Sequence, residues 1–450
     1  MKVKGNTEEI LHGNLIKAIL SIAIPVVINS FLQTMYNLTD TFWLGKLGTE
    51  ELAAINLVTP VQQIVMNFGS GITVAGAVLI SQLIGARNIK KANNLANEIF
   101  ICAIGFSVVM AVVLSVFASG IVAWLGADGL TAQYATTYLT LVILDMPFLY
   151  TVNIFQSVNQ AQGDTVRPMF LNLLGICINM VLDPLLMVVL HWGVAGAALA
   201  TVFAKMIPAI VAFIKLHTSD KEVRLSLRTV KFLKEDIKKI ITVGFPTAIG
   251  GSTMQFGFLL MSKNVYVFGT QAMAAYGIGN KVNGLITLPS NGIGSAVSTI
   301  VGQNYGANQL DRAYKGYKIS MYIAVGFLFV GGMILSRPFL STAMVKVFSD
   351  DPEVIRMAAD FLSIMAFWCF ANGVHNCTSG LFQGSGHTEV TMIIDVTRLW
   401  VFRFATLFFC QKVLNMGVES VWYSVVVSNG LAAACLFVTM MTGYWKKKRV

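Results

Sequence analysis

Acidic and amide side chains recur inside the apolar stretches of the first half of this chain. The fifth stretch carries Asn172, Asn179 and Asp183, whose spacing places them on one helical face. Carboxylate and amide oxygens in an apolar setting suit a proton or a hard cation such as Na⁺. The first stretch has a similar row at short helical spacings: Asn29, Gln33, Tyr36, Asn37 and Asp40. We therefore predict a cation-binding site that combines Asp40 with Asn179 and Asp183.

The same residues also allow a structural interpretation. Asp40 lies near the end of its stretch, where water could solvate it, and rows of amides often form hydrogen bonds between helices. Asp145, in the fourth stretch, is interpreted as structural. Pro184 follows Asp183, and inside a helix it would free the carbonyl of Met180 as another cation ligand. The residues favour a cation site but leave the packing role open.

The second half carries a different set of polar residues. Met261 stands at the position equivalent to Asp40, and the ionisable side chains are mainly basic: Lys263, Lys281, Arg398 and Arg403, with Asp395 near an end. This asymmetry assigns the ion chemistry to the first half. His375 could relay protons, although a hydrogen-bonded structural role is favoured. The residues predicted to line a substrate cavity come from both halves: Gln33, Tyr36, Asn37, Asn172, Gln255, Lys281, Asn372 and His375.

The composition of the 450 residues indicates what surrounds these groups. Hydrophobic residues make up 55% and charged residues 12%, with a mean hydropathy of +0.69. Soluble domains usually carry about 25% charged residues, so this chain could not cover itself with polar surface. A spanning helix needs roughly 20 apolar residues. The chain divides on this basis into twelve segments: 15–43, 52–84, 94–118, 132–160, 169–190, 194–216, 238–267, 272–301, 317–336, 353–382, 391–411 and 418–444.

The positive charge, +10 in all, lies mostly at the termini and in the loops. Twelve crossings would place every strongly basic stretch on one side of the membrane. These stretches contain Lys2, Lys4, Lys17, Arg87, Lys90, Lys91, Lys221, Arg224, Arg228, Lys231, Lys234, Arg312, Lys315, Lys318, Lys446, Lys447, Lys448 and Arg449. The positive-inside rule then predicts that both termini and the loop 217–237 are cytoplasmic. Membrane orientation accounts for the charge without a nucleic-acid partner.

The two halves repeat at a constant offset in residue number, the one that separates Pro25 from Pro246. Further pairs at this offset include Gly71 with Gly292, Gln82 with Gln303, Gly85 with Gly306, and Gln162-Gly163 with Gln383-Gly384. Because the offset spans six segments, the halves should share one orientation, related by an axis along the membrane normal. We predict an all-α membrane protein with twelve transmembrane helices in two pseudo-symmetric six-helix lobes. The N-lobe is 1–216, the basic cytoplasmic linker 217–237 and the C-lobe 238–450.

Several of these motifs resemble those of multidrug and toxic compound extrusion transporters. The similar runs extend over essentially the whole chain: Asn37-Leu-Thr-Asp40-Thr-Phe-Trp-Leu-Gly45 after Pro25, Ser81-Gln82-Leu-Ile-Gly85-Ala86, Gln162-Gly163-Asp164-Thr165, Val301-Gly302-Gln303-Asn304-Tyr-Gly306-Ala307 and Gln383-Gly384. Within that family, Asp40 with Asn179 and Asp183 resembles the prokaryotic DinF-like branch. The resemblance implies an N-lobe coupling site at Asp40, Asn153, Asn179, Asp183 and Thr201. The NorM-like branch uses C-lobe acids instead, and Gln255 and Asn372 stand at or near those places here.

The resemblance implies an antiporter that exports organic cations or other amphipathic compounds in exchange for H⁺ or Na⁺, by alternating access. We expect no cofactor, no metal beyond Na⁺ at the Asp40 site, and a monomer in the lipid of a prokaryotic inner membrane. A flippase for lipid-linked oligosaccharides is an alternative, because the basic residues of the second half could bind phosphates. A membrane-embedded enzyme is a distant alternative, since HExxH, GxSxG and Walker A motifs are missing from the sequence.

Overall fold

A computed structural model describes residues 7–219, 221–226 and 230–447. Every regular element within these ranges is a helix, which confirms the predicted all-α class. Some of the basic residues used to predict orientation lie outside the described residues: Lys2, Lys4, Arg228, Lys448 and Arg449.

The first half of the chain contains eight helices, of which the first was not predicted and the other seven account for the first six predicted segments. They are α1 (Thr7–His12), α2 (Leu15–Leu44), α3 (Thr49–Gly85), α4 (Ile89–Trp124), α5 (Gly129–Val142), α6 (Met146–Ala161), α7 (Val166–Asp183) and α8 (Gly193–His217). A 3₁₀ turn, Ile143–Asp145, joins α5 to α6 within one segment. A π-helical turn, Pro184–Val189, continues α7. The regular α-helix thus ends at Asp183, in keeping with the missing backbone donor of the proline that follows.

Nine helices, one π-helical turn and a 3₁₀ turn at Tyr444–Lys446 form the described part of the second half. They are α9 (Lys234–Tyr266), α10 (Thr270–Gly306), α11 (Leu310–Leu335), α12 (Pro338–Lys346), α13 (Pro352–Phe367), α14 (Phe370–Gly384), α15 (Thr388–Thr397), α16 (Phe404–Lys412) and α17 (Glu419–Met441), with the π-helical turn at Arg398–Arg403. The sequence predicted a single helix over 353–382, whereas α13 and α14 meet at a bend of 54°. The short helix α12 was not predicted.

Local hydrogen bonds explain where several helices begin. Asn88 Oδ1 accepts the amide of Lys91 at 3.2 Å and starts α4. Asp351 Oδ1 accepts the amides of Glu353 and Val354, at 2.8 and 3.3 Å, and starts α13. These are the bonds that N-cap side chains supply to otherwise unpaired helix amides. Because they stabilise the carboxylate, the pKa of Asp351 is lowered from its ordinary value.

Length and apolar character mark many of these helices as membrane spans. In the described part of the chain, eight continuous helical segments are long and apolar enough to cross a bilayer, and the bent pair α13 and α14 would make a ninth. The other predicted spans are helical too: α9, α10, and α15 with α16. Both α9 and α10 carry more polar residues, and the π-helical turn interrupts the eleventh predicted segment. Each of the twelve predicted segments is therefore helical.

The internal repeat is visible in the turns that end α3 and α10. The amide of Ala86 donates to Gln82 O at 2.9 Å, and the amide of Ala307 donates to Gln303 O at 3.0 Å. The turn residue that follows has a left-handed backbone in both halves, with φ of 56° at Arg87 and 58° at the equivalent Asn308. The predicted offset therefore holds as far as the ends of α3 and α10, the second predicted segment of each half.

The repeat has a different register in a later turn, and there the predicted alignment is wrong. The amide of Gly163 donates to Gln160 O, and that of Gly386 donates to Gln383 O, both at 2.8 Å. The residue numbers of these two equivalent bonds differ by two more than those of Pro25 and Pro246. Gln383 thus corresponds to Gln160, and the match of Gln162-Gly163 with Gln383-Gly384 is a coincidence of sequence. The register has already shifted by the same amount where α13 begins, because its N-cap Asp351 is the equivalent of Asp128, the N-cap of α5.

Contacts divide the chain into two compact units. Unit 1 contains Ile28–Ala248, and unit 2 combines Glu9–Val27 with Ile249–Val450. The first turns of α2 thus pack with the second half of the chain, and the first turns of α9 pack with the first half. The core of unit 2 includes Ile10, Ile19 and Ile22 beside residues of α10, α11 and α14. These boundaries differ from those of the predicted lobes, 1–216 and 238–450, because α2 and α9 are each divided between the two units.

Candidate functional site

The polar faces of α2 and α7 meet inside unit 1. Asn172 Nδ2 donates to Asn29 Oδ1 at 3.0 Å, which joins the two rows of polar residues. Further along both helices, Asp40 and Asp183 are close enough for their side chains to interact directly. Two acids that lie far apart in the sequence therefore belong to one cluster.

The α7 part of this cluster is almost completely buried. Asn179 and Asp183 are each 1% exposed, and Asn179 lies one helical turn before Asp183 and interacts with it. Asp40 is half-buried. Burial of two neighbouring carboxylates is unfavourable unless a proton or a cation compensates their charge.

Several buried polar atoms of this cluster have no hydrogen-bond partner. Within the described residues, no bond of good geometry reaches either carboxylate oxygen of Asp183, the Oδ1 of Asn179 or its Nδ2. Most buried polar atoms in folded proteins have a partner, so an unsatisfied group calls for a specific explanation. Three unsatisfied oxygens on one helical face can hold a proton or contribute ligands to Na⁺.

Tyrosine and threonine side chains surround the acids. Tyr36, on α2, is within electrostatic range of Asp40 and Asp183 and lies close enough to Thr201 of α8 for the two side chains to interact. The hydroxyl of Thr201 also donates to Ala197 O at 3.1 Å. Tyr138, from α5, is likewise within range of both acids. Thr201 thus reaches the cluster through Tyr36.

Asn153 is the predicted coupling residue that the structure does not join to this cluster. It is half-buried on α6, and its side chain makes no hydrogen bond to another residue in the described ranges. Its predicted role rests on the family resemblance.

Lys205 and Asp145 extend the cluster, a connection that was not predicted from the sequence. Lys205 Nζ of α8 forms an ion pair with Asp145 Oδ2, and the Asp145 side chain is fully buried. The charge of Lys205 also acts on Asp40. A lysine one helical turn after Thr201, inside an apolar helix, was the available signal. Asp40 and Asp145 therefore share one ammonium group, and Asp183 joins them through Asp40. We call Asp40, Asp145 and Asp183 the acidic cluster.

The predicted cavity residues lie in both units. In unit 1, Gln33 Nε2 donates to Asn37 Oδ1 at 3.4 Å, and both side chains are exposed. In unit 2, Gln255 and Lys281 are exposed and Asn372 is half-buried. A common cavity for these residues stays a prediction.

His375 is buried and hydrogen-bonded, as the favoured structural interpretation requires. Its Nε2 lies 3.0 Å from Asp395 Oδ1, and the same oxygen lies 3.3 Å from an Arg398 nitrogen. The buried Arg403 donates from Nε to Ser428 Oγ and from NH2 to Asn429 Oδ1, both at 3.0 Å. These basic groups of unit 2 thus have partners within the protein.

The described residues contain no group of three or more His, Cys, Asp or Glu side chains that could hold a metal ion. A Na⁺ site built from two carboxylates and the amide of Asn179 contains only two such side chains, so this finding does not test it. The Na⁺ site stays a prediction that rests on the chemistry of the carboxylate and amide oxygens.

The chain matches a known family in both halves. Residues 25–185 and 246–409 match the family model described as MatE. A protein of Thermotoga maritima named "Probable multidrug resistance protein NorM" is 24% identical over 440 residues, covering 96% of this chain and 94% of that protein. "Multidrug export protein MepA" of Staphylococcus haemolyticus is 24% identical, covering 98% of this chain and 95% of that protein.

Solved structures share the fold over nearly the whole length. A crystal structure of MATE in complex with MaD3S has a TM-score of 0.93 at 24% identity, covering 98% of this chain and 99% of that one. A MOP superfamily transporter from Pyrococcus furiosus, described by a reversed polarity of its binding pocket, has a TM-score of 0.91 at 25% identity, covering 99% and 100%. The architecture of this chain is that of these transporters.

Proposed function

Because this chain belongs to the MatE family, we propose that it is a secondary active antiporter that exports organic cations or amphipathic compounds in exchange for H⁺ or Na⁺. The family match extends over both halves. Relatives named as multidrug export and multidrug resistance proteins align with nearly the full chain. The substrates are accordingly small molecules that partition into membranes.

We place the coupling site at Asp40, Asn179 and Asp183, with Thr201 and Asn153 as further members. The observation that carries this assignment is the buried Asp183 carboxylate, both of whose oxygens lack a hydrogen-bond partner among the described residues. A proton or Na⁺ would satisfy these oxygens and reduce the repulsion from Asp40. This ion would therefore bind more tightly to a state that keeps the two acids together.

Coupling follows from a difference in ion affinity between two conformations. An ion that favours the state in which α2 and α7 hold their acids together shifts the population toward that state. By the same linkage, export substrate and ion influence each other's binding. Alternating access of the lobes 1–216 and 238–450 would turn this linkage into exchange across the membrane.

Asp183→Asn and Asp40→Asn test the coupling site. Each change keeps the shape of the side chain and removes the charge that attracts the ion. We expect gradient-driven efflux to fall by about tenfold or more, as loss of a typical coupling energy predicts. The measurement is efflux of cationic dyes from proteoliposomes under separately imposed pH and Na⁺ gradients, which also identifies the coupling ion.

Asp128→Asn is the matched control, because Asp128 is an exposed acid in a loop outside the cluster. It should export dye like the unaltered protein. Normal ion-driven export by both Asp183→Asn and Asp40→Asn, with both variants folded, would refute the coupling site. Failure of the unaltered protein to export any dye under either gradient would refute the function itself.

A lipid-linked oligosaccharide flippase is a second candidate, because Lys263 and Lys281 are exposed in unit 2 and could contact phosphate. Arg398 and Arg403 support it less, since both have partners within the protein. A flippase would move a fluorescent lipid-linked sugar between leaflets without an imposed ion gradient. Ion-driven dye export with no movement of that lipid would exclude it.

We propose that the protein is a monomer of a prokaryotic inner membrane with both termini in the cytoplasm. The support is the distribution of basic residues between the spans. A reporter that fluoresces only in the cytoplasm, fused after the last residue, should be active. An inactive fusion together with an active periplasmic reporter at the same place would reverse the orientation.

A further inference from the structure

A cavity of about 260 Å³ lies in unit 1, where the linker meets the ends of α6 and α8 and the beginning of α7. Its walls include Asn159 and Gln162 at the end of α6, Arg167 of α7, Lys215 of α8 and Val223 of the linker. The volume far exceeds the roughly 30 Å³ that one water molecule occupies in the liquid. The proposed transport mechanism uses none of these residues, so the cavity is available for another ligand.

The charged side chains at this cavity are positive. Arg167 and Lys215 both line it, and none of the described residues that line it is acidic. Asp164 Oδ2 lies 3.4 Å from Arg167 Nε and 2.5 Å from Lys221 Nζ. Among the described residues, which do not include Asp220, Asp164 therefore balances one of three cations. Lys215 Nζ and the terminal nitrogens of Arg167 have no hydrogen bond or ion pair there.

Three side-chain oxygens that line the cavity are already in use as acceptors. Asn159 Oδ1 accepts from Lys221 Nζ at 3.1 Å, and Gln162 Oε1 accepts the amide of Val223 at 3.2 Å. Ser219 Oγ accepts the amide of Lys221 at 3.2 Å. The groups that remain are the donors of two cationic side chains, which suit an anion. Guanidinium and ammonium groups bind phosphate through charge-assisted hydrogen bonds.

Contacts with α4 hold the linker wall of the cavity in place. Asn93 Oδ1 accepts the amide of Arg224 at 2.7 Å, and Glu98 Oε1 accepts the amide of Leu233 at 3.2 Å. Val223, which lines the cavity, is itself buried. The wall is therefore formed before any ligand binds, and a preformed site lowers the entropic cost of binding.

Exposed apolar side chains beside the two cations place the cavity next to the membrane. Val166 and Phe170 of α7 are 42% and 59% exposed, and Ile214 of α8 is 53% exposed. On a spanning helix such side chains contact lipid tails, while Arg167 and Lys215, each next to one of them, can reach the headgroups. Basic pockets between spanning helices on the cytoplasmic side suit anionic headgroups.

The second half of the chain carries no charge at the equivalent positions. In the register shared by the turns after α6 and α14, Val390 stands at the position of Arg167. The left-handed turns before α8 and α17 place Thr439 at the position of Lys215. The same helix ends therefore form in unit 2 without these cations, and the fold does not account for their presence in unit 1.

We propose that this cavity binds the phosphate group of an anionic membrane lipid, with Arg167 and Lys215 as its two cationic contacts. The phosphate lies between the beginning of α7 and the end of α8, and the lipid tails extend along Val166 and Phe170. Free phosphate offers the same charged group without the tails. The assignment to the cytoplasmic leaflet rests on the proposed orientation, whereas the binding itself does not.

Binding of phosphatidylglycerol with a fluorescent acyl chain to the purified full-length protein, in a neutral detergent, tests this proposal. Unlabelled phosphatidylglycerol should displace the probe, and phosphatidylcholine should compete less well because its choline cancels the charge of the phosphate. Lys215→Gln and Arg167→Gln should each weaken binding by about tenfold, the effect of losing one hydrogen bond to a charged group. Both variants should fold, since both side chains are exposed and Asp164 keeps Lys221 as its partner.

Lys90→Gln is the matched control, because Lys90 is an exposed lysine at the beginning of α4, outside the cavity. It should bind the probe like the unaltered protein. Unchanged affinity in both Lys215→Gln and Arg167→Gln, or equal competition by phosphatidylcholine, would overturn the proposal. Inorganic phosphate that displaces the probe as well as phosphatidylglycerol does would assign the cavity to free phosphate instead of a lipid. Efflux does not enter this test, so its outcome is independent of the proposed transport function.

Discussion

Lys205 is the residue that most changes the interpretation of the acidic cluster. Its ammonium group pairs with the buried Asp145 and also acts on Asp40. The second oxygen of Asp145, Oδ1, is buried without a hydrogen-bond partner among the described residues. Lys205 is therefore the only ionic partner of Asp145 among the described residues. A buried pair of this kind need not add stability, but removing one partner leaves an uncompensated charge.

Lys205→Met should destabilise the protein by about 3 kcal/mol, because Asp145 would lose its counter-ion. The midpoint of thermal unfolding in detergent measures this effect. The double variant Asp145→Asn with Lys205→Met removes both charges and should recover most of the lost stability. If Lys205→Met unfolds at the same temperature as the unaltered protein, the pair has no structural role.

At the scale of the helices, two close helix–helix contacts occur at equivalent positions of the internal repeat. A methyl group added to Gly71 of α3 would lie 3.0 Å from Ala248 Cβ of α9 and would overlap the carbonyl oxygen of Gly244. A methyl group added to Gly292 of α10 would lie 2.9 Å from Ala23 O of α2. Ala23 and Gly244 are themselves equivalent positions of the repeat. Each half thus uses one glycine to bring a helix backbone close to the first turns of α2 or α9.

Gly71→Leu should separate α3 from α9 and destabilise unit 1 by about 1–3 kcal/mol or more, the range for overpacked sites. Gly105→Leu on α4 is the matched control, because nothing lies within 4 Å of a Cβ atom added there. Thermal unfolding of the two purified variants provides the comparison. Equal unfolding temperatures for both would show that the α3 and α9 backbones do not need this approach.

The linker is the other element whose structure differs from its sequence pattern. Its basic residues suggest a solvated loop, yet the Lys221 side chain is buried, with Nζ 2.5 Å from Asp164 Oδ2 and 3.1 Å from Asn159 Oδ1. Burial lowers the pKa of the Lys221 ammonium from its ordinary value, and Asp164 opposes this effect. Val223 and Leu225 are also buried. The segment therefore packs as part of unit 1.

At the scale of the whole molecule, each compact unit contains helical turns from the other half of the chain. Glu9–Val27 belong to unit 2, and the first turns of α9, up to Ala248, belong to unit 1. Ile10, Ile19 and Ile22 are fully buried in the core of unit 2. Neither half of the sequence can bury its core completely without the other, because each supplies apolar surface that the other covers.

The second half of the chain, expressed alone from residue 231, should therefore fail to accumulate as a folded protein. Expression together with residues 1–230 should restore folding, measured by recovery of a single species in detergent. Expression with residues 28–230 should restore it less, because that fragment lacks the isoleucines of the unit 2 core. Equal recovery with fragments 1–230 and 28–230 would show that the first turns of α2 are not needed to fold unit 2.

The sequence by itself was sufficient to predict the twelve helical segments and their order, because hydrophobicity and segment length act locally along the chain; the short helices α1 and α12 were not predicted. It also predicted the repeat through the turns after α3 and α10, where equivalent residues such as Arg87 and Asn308 adopt the same backbone. The faces of α2 and α7 could be predicted for the same reason, since helical periodicity determines which residues share a face.

Only the tertiary structure decided which of these groups meet. Lys205 and Asp145 lie 60 residues apart, and the Leu233 amide lies 135 residues from Glu98. The bend between α13 and α14 and the exchanged turns of α2 and α9 are decided the same way. All of them depend on packing between distant segments, and neither periodicity nor composition along one segment specifies its partner.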